Sequence, residues 1–165
     1  MDVFFLRHGE AGARVSVPTK DSGRPLTQSG RKEIEEIAES MHDRLGLKFD
    51  KIATSPLTRA LQTAEVVDRA YARSSRLEKW EELSPEGSRS KLLERLSKLR
   101  RDSNILLVGH EPYLSTLMGE IIAGGGSAKI SLKKGGLARV RISSLSPRAT
   151  GELRWLLTPK QIRKM

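Results

Sequence analysis

Three short stretches of the chain carry residue types suited to acting on an anion. The first is Arg7-His8-Gly9, directly after the apolar run Val3-Phe4-Phe5-Leu6. A histidine at the carboxyl end of a buried strand lies where open α/β sheets present their ligands, and Gly9 lets the backbone turn tightly there. The second is Ser55-Pro56-Leu57-Thr58-Arg59-Ala60-Leu61-Gln62-Thr63-Ala64, with Arg59 in the first turns of an expected helix. A helix N-terminus favours anions, and a guanidinium suits bidentate contact with phosphate. The third, Val108-Gly109-His110-Glu111-Pro112, repeats the design of the first. Each has an ordinary reading alone: a strand-end histidine satisfied by a hydrogen bond, an arginine on a solvated helix face. Together, His8, His110, Arg7 and Arg59 suit a phosphoryl group, whose charge must be stabilised during transfer. A metal site is the competing reading of paired histidines. The arginines beside them would repel a cation, so no metal is expected.

The elements that must position these residues follow from periodicity. Val3–Leu6 and Asn104–Val108 read as buried strands, and Asp50–Thr54 as a weaker one. Ile34, Ile37, Ala38, Met41 and Leu45 recur at helical spacing, with Thr27 as N-cap and Gly46 as stop. Ser55-Pro56 predicts a helix start with proline in its first turn. Residues 71–90 read as irregular, Leu92–Leu99 as a helix, and Pro112 as the opening of another. The run Gly124-Gly125-Gly126 reads as a loop. Lys129–Leu132 and Leu137–Ile142 are expected to form a hairpin around Lys133-Lys134-Gly135-Gly136, and Leu153–Leu157 a last strand. Ala138, Val140 and Ile142 alternate with Arg139 and Arg141, which predicts one buried and one basic face. The third histidine, His42, falls on the polar side of the first helix and reads as structural or solvated. Strands alternating with helices predict a layered α/β domain spanning 1–165, with no linker or repeat.

Composition sets the outer bounds. The chain has 165 residues, 30 Lys+Arg against 20 Asp+Glu and a formal net charge of +10. The absence of cysteine excludes disulfides, cysteine metal sites and a thiol nucleophile. No run of apolar residues is long enough for a membrane helix, and no signal peptide is visible, which leaves a cytoplasmic location as the expectation. The positive charge suits anionic partners: nucleic acid, phosphorylated ligands or acidic proteins. An aromatic content of 4% gives few stacking platforms, which argues against nucleic acid.

The motifs also resemble a known family. Leu6-Arg7-His8-Gly9-Glu10-Ala11, Arg24-Pro25-Leu26-Thr27 with Gly30, the Ser55–Ala64 segment and Gly109-His110-Glu111-Pro112 fall in the order seen in the histidine phosphatase superfamily. Lys134-Gly135-Gly136-Leu137-Ala138 is similar to that family's small members, and the short chain is most similar to the SixA-type phosphohistidine phosphatases. The resemblance implies a phosphoglycerate mutase-like three-layer α/β/α sandwich, with a mostly parallel central sheet and no lid insertion. It implies His8 as a nucleophile that becomes phosphorylated, with Arg7, Arg59 and His110 around the phosphate and Arg24 as a further pocket arginine. It implies no cofactor. Many relatives carry a glutamate acid in a Leu-x-Glu segment. That pattern is absent here, and Glu82 in Trp80-Glu81-Glu82-Leu83 is the best match for a general acid. Glu82 could equally cap a turn or pair with a nearby arginine.

Chemistry connects a weak acid site to a substrate class. Imidazole departs readily from a P–N bond, whereas an alkoxide needs a positioned acid. The favoured expectation is hydrolysis of phosphohistidine on a protein partner, reached through a shallow, unlidded pocket. A small-molecule phosphomonoesterase is the alternative within enzymes. A non-catalytic phosphoprotein or nucleic-acid binding module is the alternative outside them.

Overall fold

In the computed structural model, which describes residues 1–14, 16–72, 76–124 and 128–165, the N-terminal apolar run becomes β1 (Asp2–Arg7). After it come α1 (Pro18–Ser22), α2 (Gln28–Asp43), β2 (Lys51–Thr54), α3 (Thr58–Ala70), β3 (Arg76–Lys79), a 3₁₀ turn (Glu81–Leu83) and α4 (Arg89–Ser97). The chain continues with β4 (Asn104–Gly109), α5 (Tyr113–Ile122), β5 (Leu137–Ser144), β6 (Thr150–Leu157) and α6 (Pro159–Lys164). The strands form one sheet in the order β3-β2-β4-β1-β5-β6. The pairs from β3 to β1 are parallel, and β5 and β6 add antiparallel.

Strand alternation makes the three layers. In β1, Val3 and Phe5 face one side, where they pack with Leu92 and Leu96 of α4 and Leu114, Leu117 and Met118 of α5. Phe4 and Leu6 face the other, against Ile34, Ile37 and Met41 of α2, Ala60, Ala64 and Val67 of α3, and Ile162 of α6. The predicted sandwich is therefore present. Only α4 separates the 3₁₀ turn from β4, so no inserted lid stands in that interval.

The expected N-cap of α2 is present, with the Thr27 side chain accepting from the Gly30 N–H. Gly46 takes a left-handed φ of 58° beyond the helix end, and the Leu47 N–H returns to the Met41 carbonyl at 3.0 Å. Other expectations need correction. Proline 56 precedes α3 rather than opening it, because Leu57 is the N-cap. The segment 129–132 is not a hairpin strand. Both edges of β5 are occupied, by β1 and β6, so no ladder is open to it. Instead Leu132 packs into the core and lends its carbonyl to Arg7. The irregular reading of 71–90 misses β3, whose charged residues suit a sheet edge. Gly125 and Gly126 lie outside the described residues.

Candidate active site

The parallel strands deliver both histidines to the same end of the sheet. Arg7 pairs in register with Gly109 across β1 and β4, and the His8 N–H donates to the Gly109 carbonyl at 3.0 Å. The two imidazole rings lie 5.2 Å apart, tilted by 57°. His8 and His110 are 6% and 2% exposed, so each ring is withdrawn from bulk water. Gly9 is required by close packing, because a Cβ there would meet Ile34 Cγ1 at 2.7 Å.

Hydrogen bonds fix the tautomer of His8. Its Nδ1 lies 2.7 Å from the Gly9 carbonyl, which can only accept, so Nδ1 carries the proton. Its Nε2 receives the Nε–H of Arg59 at 3.3 Å and so presents a lone pair. Burial is the main cause that pushes the His8 pKa down, to about 4. The Gly9 hydrogen bond opposes the shift, and the charges of Arg59, Arg7 and Arg24 add to it. For His110, burial first and then the charges of His8, Arg59 and Arg7 bring the value to about 3. Both rings are thus neutral at pH 7.

The sequence-nominated arginines converge on this end. Arg59 is 6% exposed, and Arg24, nominated by the resemblance alone, has a side chain only 15% exposed. Arg7 Nη1 donates to the Leu132 carbonyl at 3.0 Å. Arg7 Nε and His110 Nδ1 are buried with no hydrogen-bond partner among the described residues. His110 Nε2 lies 2.8 Å from Ser55 Oγ, and that hydroxyl already accepts from the Leu57 N–H at 3.3 Å. With the Ser55 hydroxyl donating to His110 Nε2, the ring proton stands on Nδ1 as an unspent donor. Donors of this kind, held in place and shielded from water, suit an oxyanion.

Glu82 is not brought into this group by its contacts. Both of its carboxylate oxygens accept from Arg95 Nη1, at 3.2 and 3.0 Å, and Arg95 lies 4.2 Å above the Trp80 ring. His42 also stands apart, 2.6 Å from the Asp43 carboxylate and edge-on to Tyr71. Among the described residues, no group of three or more His, Cys, Asp or Glu side chains is arranged to hold a metal ion.

Residue-type reasoning passes over three site residues. Thr63 Oγ1 accepts from the Gly9 N–H at 3.1 Å and donates to the Arg59 carbonyl at 2.7 Å, which ties the His8-Gly9 loop to α3. Ser55 orients His110. Asp21 on α1 meets both Arg24 and Arg59: its Oδ1 accepts from Arg24 Nε at 3.0 Å, and its carbonyl accepts from Arg59 Nη1 at 2.9 Å. Nothing in the sequence marks Asp21 except its position three residues before Arg24.

Comparison with known proteins agrees with this arrangement. A family model described as "Histidine phosphatase superfamily (branch 1)" matches residues 3–85, the interval that carries His8, Arg24, Arg59 and Glu82. The chain belongs to the histidine phosphatase superfamily. Its fold is close to that of a solved protein histidine phosphatase, SixA, complexed with tungstate: 27% identity, TM-score 0.82, covering 97% of this chain and 98% of that one. This superfamily member is accordingly of the SixA type. An uncharacterized protein of Picosynechococcus sp. is 34% identical over 97% of this chain and 98% of its own length. The alpha-ribazole phosphatase of Shigella flexneri shares the fold at 20% identity, with a TM-score of 0.71 over 96% of this chain and 97% of that one. Membership makes the chain a phosphatase. No helix among the described residues is long and apolar enough to cross a membrane.

Proposed function

We propose that this phosphatase hydrolyses phosphohistidine displayed on a protein, through a covalent phosphohistidine intermediate on His8. One observation carries the proposal: His8 Nε2 is held as a neutral lone pair by Arg59 while the ring proton is committed to the Gly9 carbonyl. That nitrogen attacks phosphorus and the bond from phosphorus to the substrate imidazole breaks. A substrate ring protonated on its other nitrogen departs as neutral imidazole. As Nε2 becomes phosphorylated, the Arg59 Nε–H passes from the lone pair to a phosphoryl oxygen. Arg7 Nε and His110 Nδ1 supply further donors, and Arg24 adds positive charge. Water then attacks the phosphoenzyme, His8 leaves as neutral imidazole with its Nδ1 proton still on Gly9, and the water's surplus proton passes to solvent.

No step requires a positioned acid or a metal, and Glu82, held on Arg95, takes no part. Support for a protein substrate comes from the absence of an inserted lid between the 3₁₀ turn and β4. Further support comes from exposed cations in the segments beside the site, Arg14, Lys20 of α1 and Lys133. These fit an acidic partner surface.

The test is a comparison of kcat/KM among a phosphohistidine protein, a phosphohistidine peptide and sugar phosphates, with and without EDTA. The protein should be preferred and EDTA should be without effect. Equal or better turnover of sugar phosphates would assign a small-molecule phosphomonoesterase instead. Loss of activity in EDTA that zinc or magnesium restores would overturn the metal-free mechanism.

A further inference from the structure

Asp21 poses a question that the reaction does not answer. It is a carboxylate in a site otherwise built to receive an anion. Its side chain is 14% exposed, and it meets Arg24 at 3.0 Å and Arg59 Nη1 at 3.4 Å, with those side chains 15% and 7% exposed. The segment bearing it is fastened over the site by the same arginines. Arg24 Nη1 donates to the Ala11 and Gly12 carbonyls at 2.6 and 2.9 Å, and Arg59 Nη1 donates to the Asp21 carbonyl.

The donor count shows what this arrangement leaves for a ligand. Arg59 commits Nε to His8 and Nη1 to Asp21. Arg24 commits Nε to Asp21 and Nη1 to two carbonyls. Among the described residues, neither Nη2 has a protein partner, so one edge of each guanidinium is fixed by protein and the other remains for phosphoryl oxygens. A planar fork held at its far edge loses little conformational freedom when it binds.

The charge of Asp21 has a second consequence. Three arginines and His110 around a phosphate dianion would also hold the product, and turnover needs that product to leave. Binding that is equal for the ground state and transition state does not raise kcat. A fixed carboxylate beside two of the arginines lowers the pocket's attraction for any phosphate dianion while leaving its donors aimed.

We infer that Asp21 is a positioning residue and resident counter-anion of the phosphate pocket. It sets the geometry of Arg24 and Arg59 and weakens their hold on inorganic phosphate so that product is released. This rests on the assignment of Arg7, Arg24, Arg59 and His110 to phosphate, and not on the identity of the leaving group.

The decisive variant is Asp21→Asn, which keeps an acceptor for Arg24 and removes the charge. Calorimetric titration with inorganic phosphate and with tungstate should show binding tightened by about tenfold, the size of a typical coupling between sites. With an aryl phosphate substrate, kcat and KM should fall together, and phosphate should become a stronger product inhibitor. Asp21→Glu, which keeps the charge, should return phosphate affinity toward wild type. A purely structural Asp21 predicts the opposite: weaker binding and a raised KM in Asp21→Asn. Unchanged or weakened phosphate binding in Asp21→Asn, or Asp21→Glu behaving like Asp21→Asn, would overturn the inference while the pocket stands. If the wild-type protein itself bound neither phosphate nor tungstate, the pocket assignment and this inference would fall together.

Discussion

Replacing Thr63 with valine removes one hydroxyl and almost no volume, yet that hydroxyl is the only described partner of the Gly9 N–H beside His8. Thr63 is fully buried, so water cannot take its place. The Gly9 donor would be stranded, at a cost of about 1–3 kcal/mol. A chain of this size should lose about 2–4 °C in Tm for each kcal/mol. The same bond joins the His8 loop to α3, which carries Arg59, so its loss also loosens His8 Nε2 against the Arg59 Nε–H. Misplacement of reacting groups by about an ångström costs as much as 10²-fold, and a fall in kcat/KM of about tenfold or more is expected. Urea unfolding and aryl phosphate turnover should be measured together, with Thr63→Ser as the control that restores the hydroxyl. A Thr63→Val protein within about 0.5 kcal/mol of wild type and equally active would show that the bridge neither stabilises the loop nor aims His8.

Other expectations follow from the same geometry. His8 and His110 have folded-state pKa values pushed down to about 4 and 3. The unfolded chain therefore binds more protons than the folded one below about pH 6.5. Stability should fall as pH drops from 6.5 toward 4, by up to about 1.4 kcal/mol per pH unit for each ring; a urea midpoint that is flat across this window would contradict burial of neutral imidazoles. At Asp2, burial opposes ionisation but the hydrogen bonds from Arg139 and Arg141 prevail, so its pKa is lowered to about 2. Its stabilisation is present above about pH 3.8 and should be lost as pH falls through 2, visible as reduced dependence of unfolding on acid in Asp2→Asn. Glu82→Gln should leave phosphohistidine turnover within about twofold, whereas a loss of about 10² or more on alkyl phosphates would restore Glu82 to the role of acid. If the exposed cations steer an acidic phosphoprotein, kcat/KM for that substrate should fall with salt much more steeply than for an aryl phosphate. Equal slopes would reduce the net positive charge to a solvated surface.

The chemistry of the site was more legible in the sequence than its scaffolding. His8 and His110 announce themselves because each follows a continuous apolar strand, and Arg59 because it lies in the opening turn of a helix. Arg24 has no such signal: only the family resemblance nominated it, since its burial depends on carbonyls at Ala11 and Gly12 that a local pattern does not expose. Asp21 was invisible for a similar reason, because it acts through tertiary contacts from a helix of five residues. Some missed features did have signals. Thr158-Pro159-Lys160-Gln161 spells a capping box, and the structure forms it at the start of α6. The hairpin at 129–132 failed because alternation reports a half-buried segment but not whether a strand edge is open to it. Glu82 fell in the interval the family pattern indicates, yet its carboxylate is paired with Arg95, thirteen residues on in α4 and near it only in space.

Covalent catalysis by His8 is tested most directly by trapping the intermediate. Enzyme mixed with a ³²P-labelled phosphohistidine protein, then quenched in alkali within milliseconds, should carry acid-labile, base-stable label on the peptide containing His8. The label should form before phosphate is released and should be absent in His8→Ala. Phosphate release at the wild-type rate with no label on His8, or full turnover by His8→Ala, would contradict it.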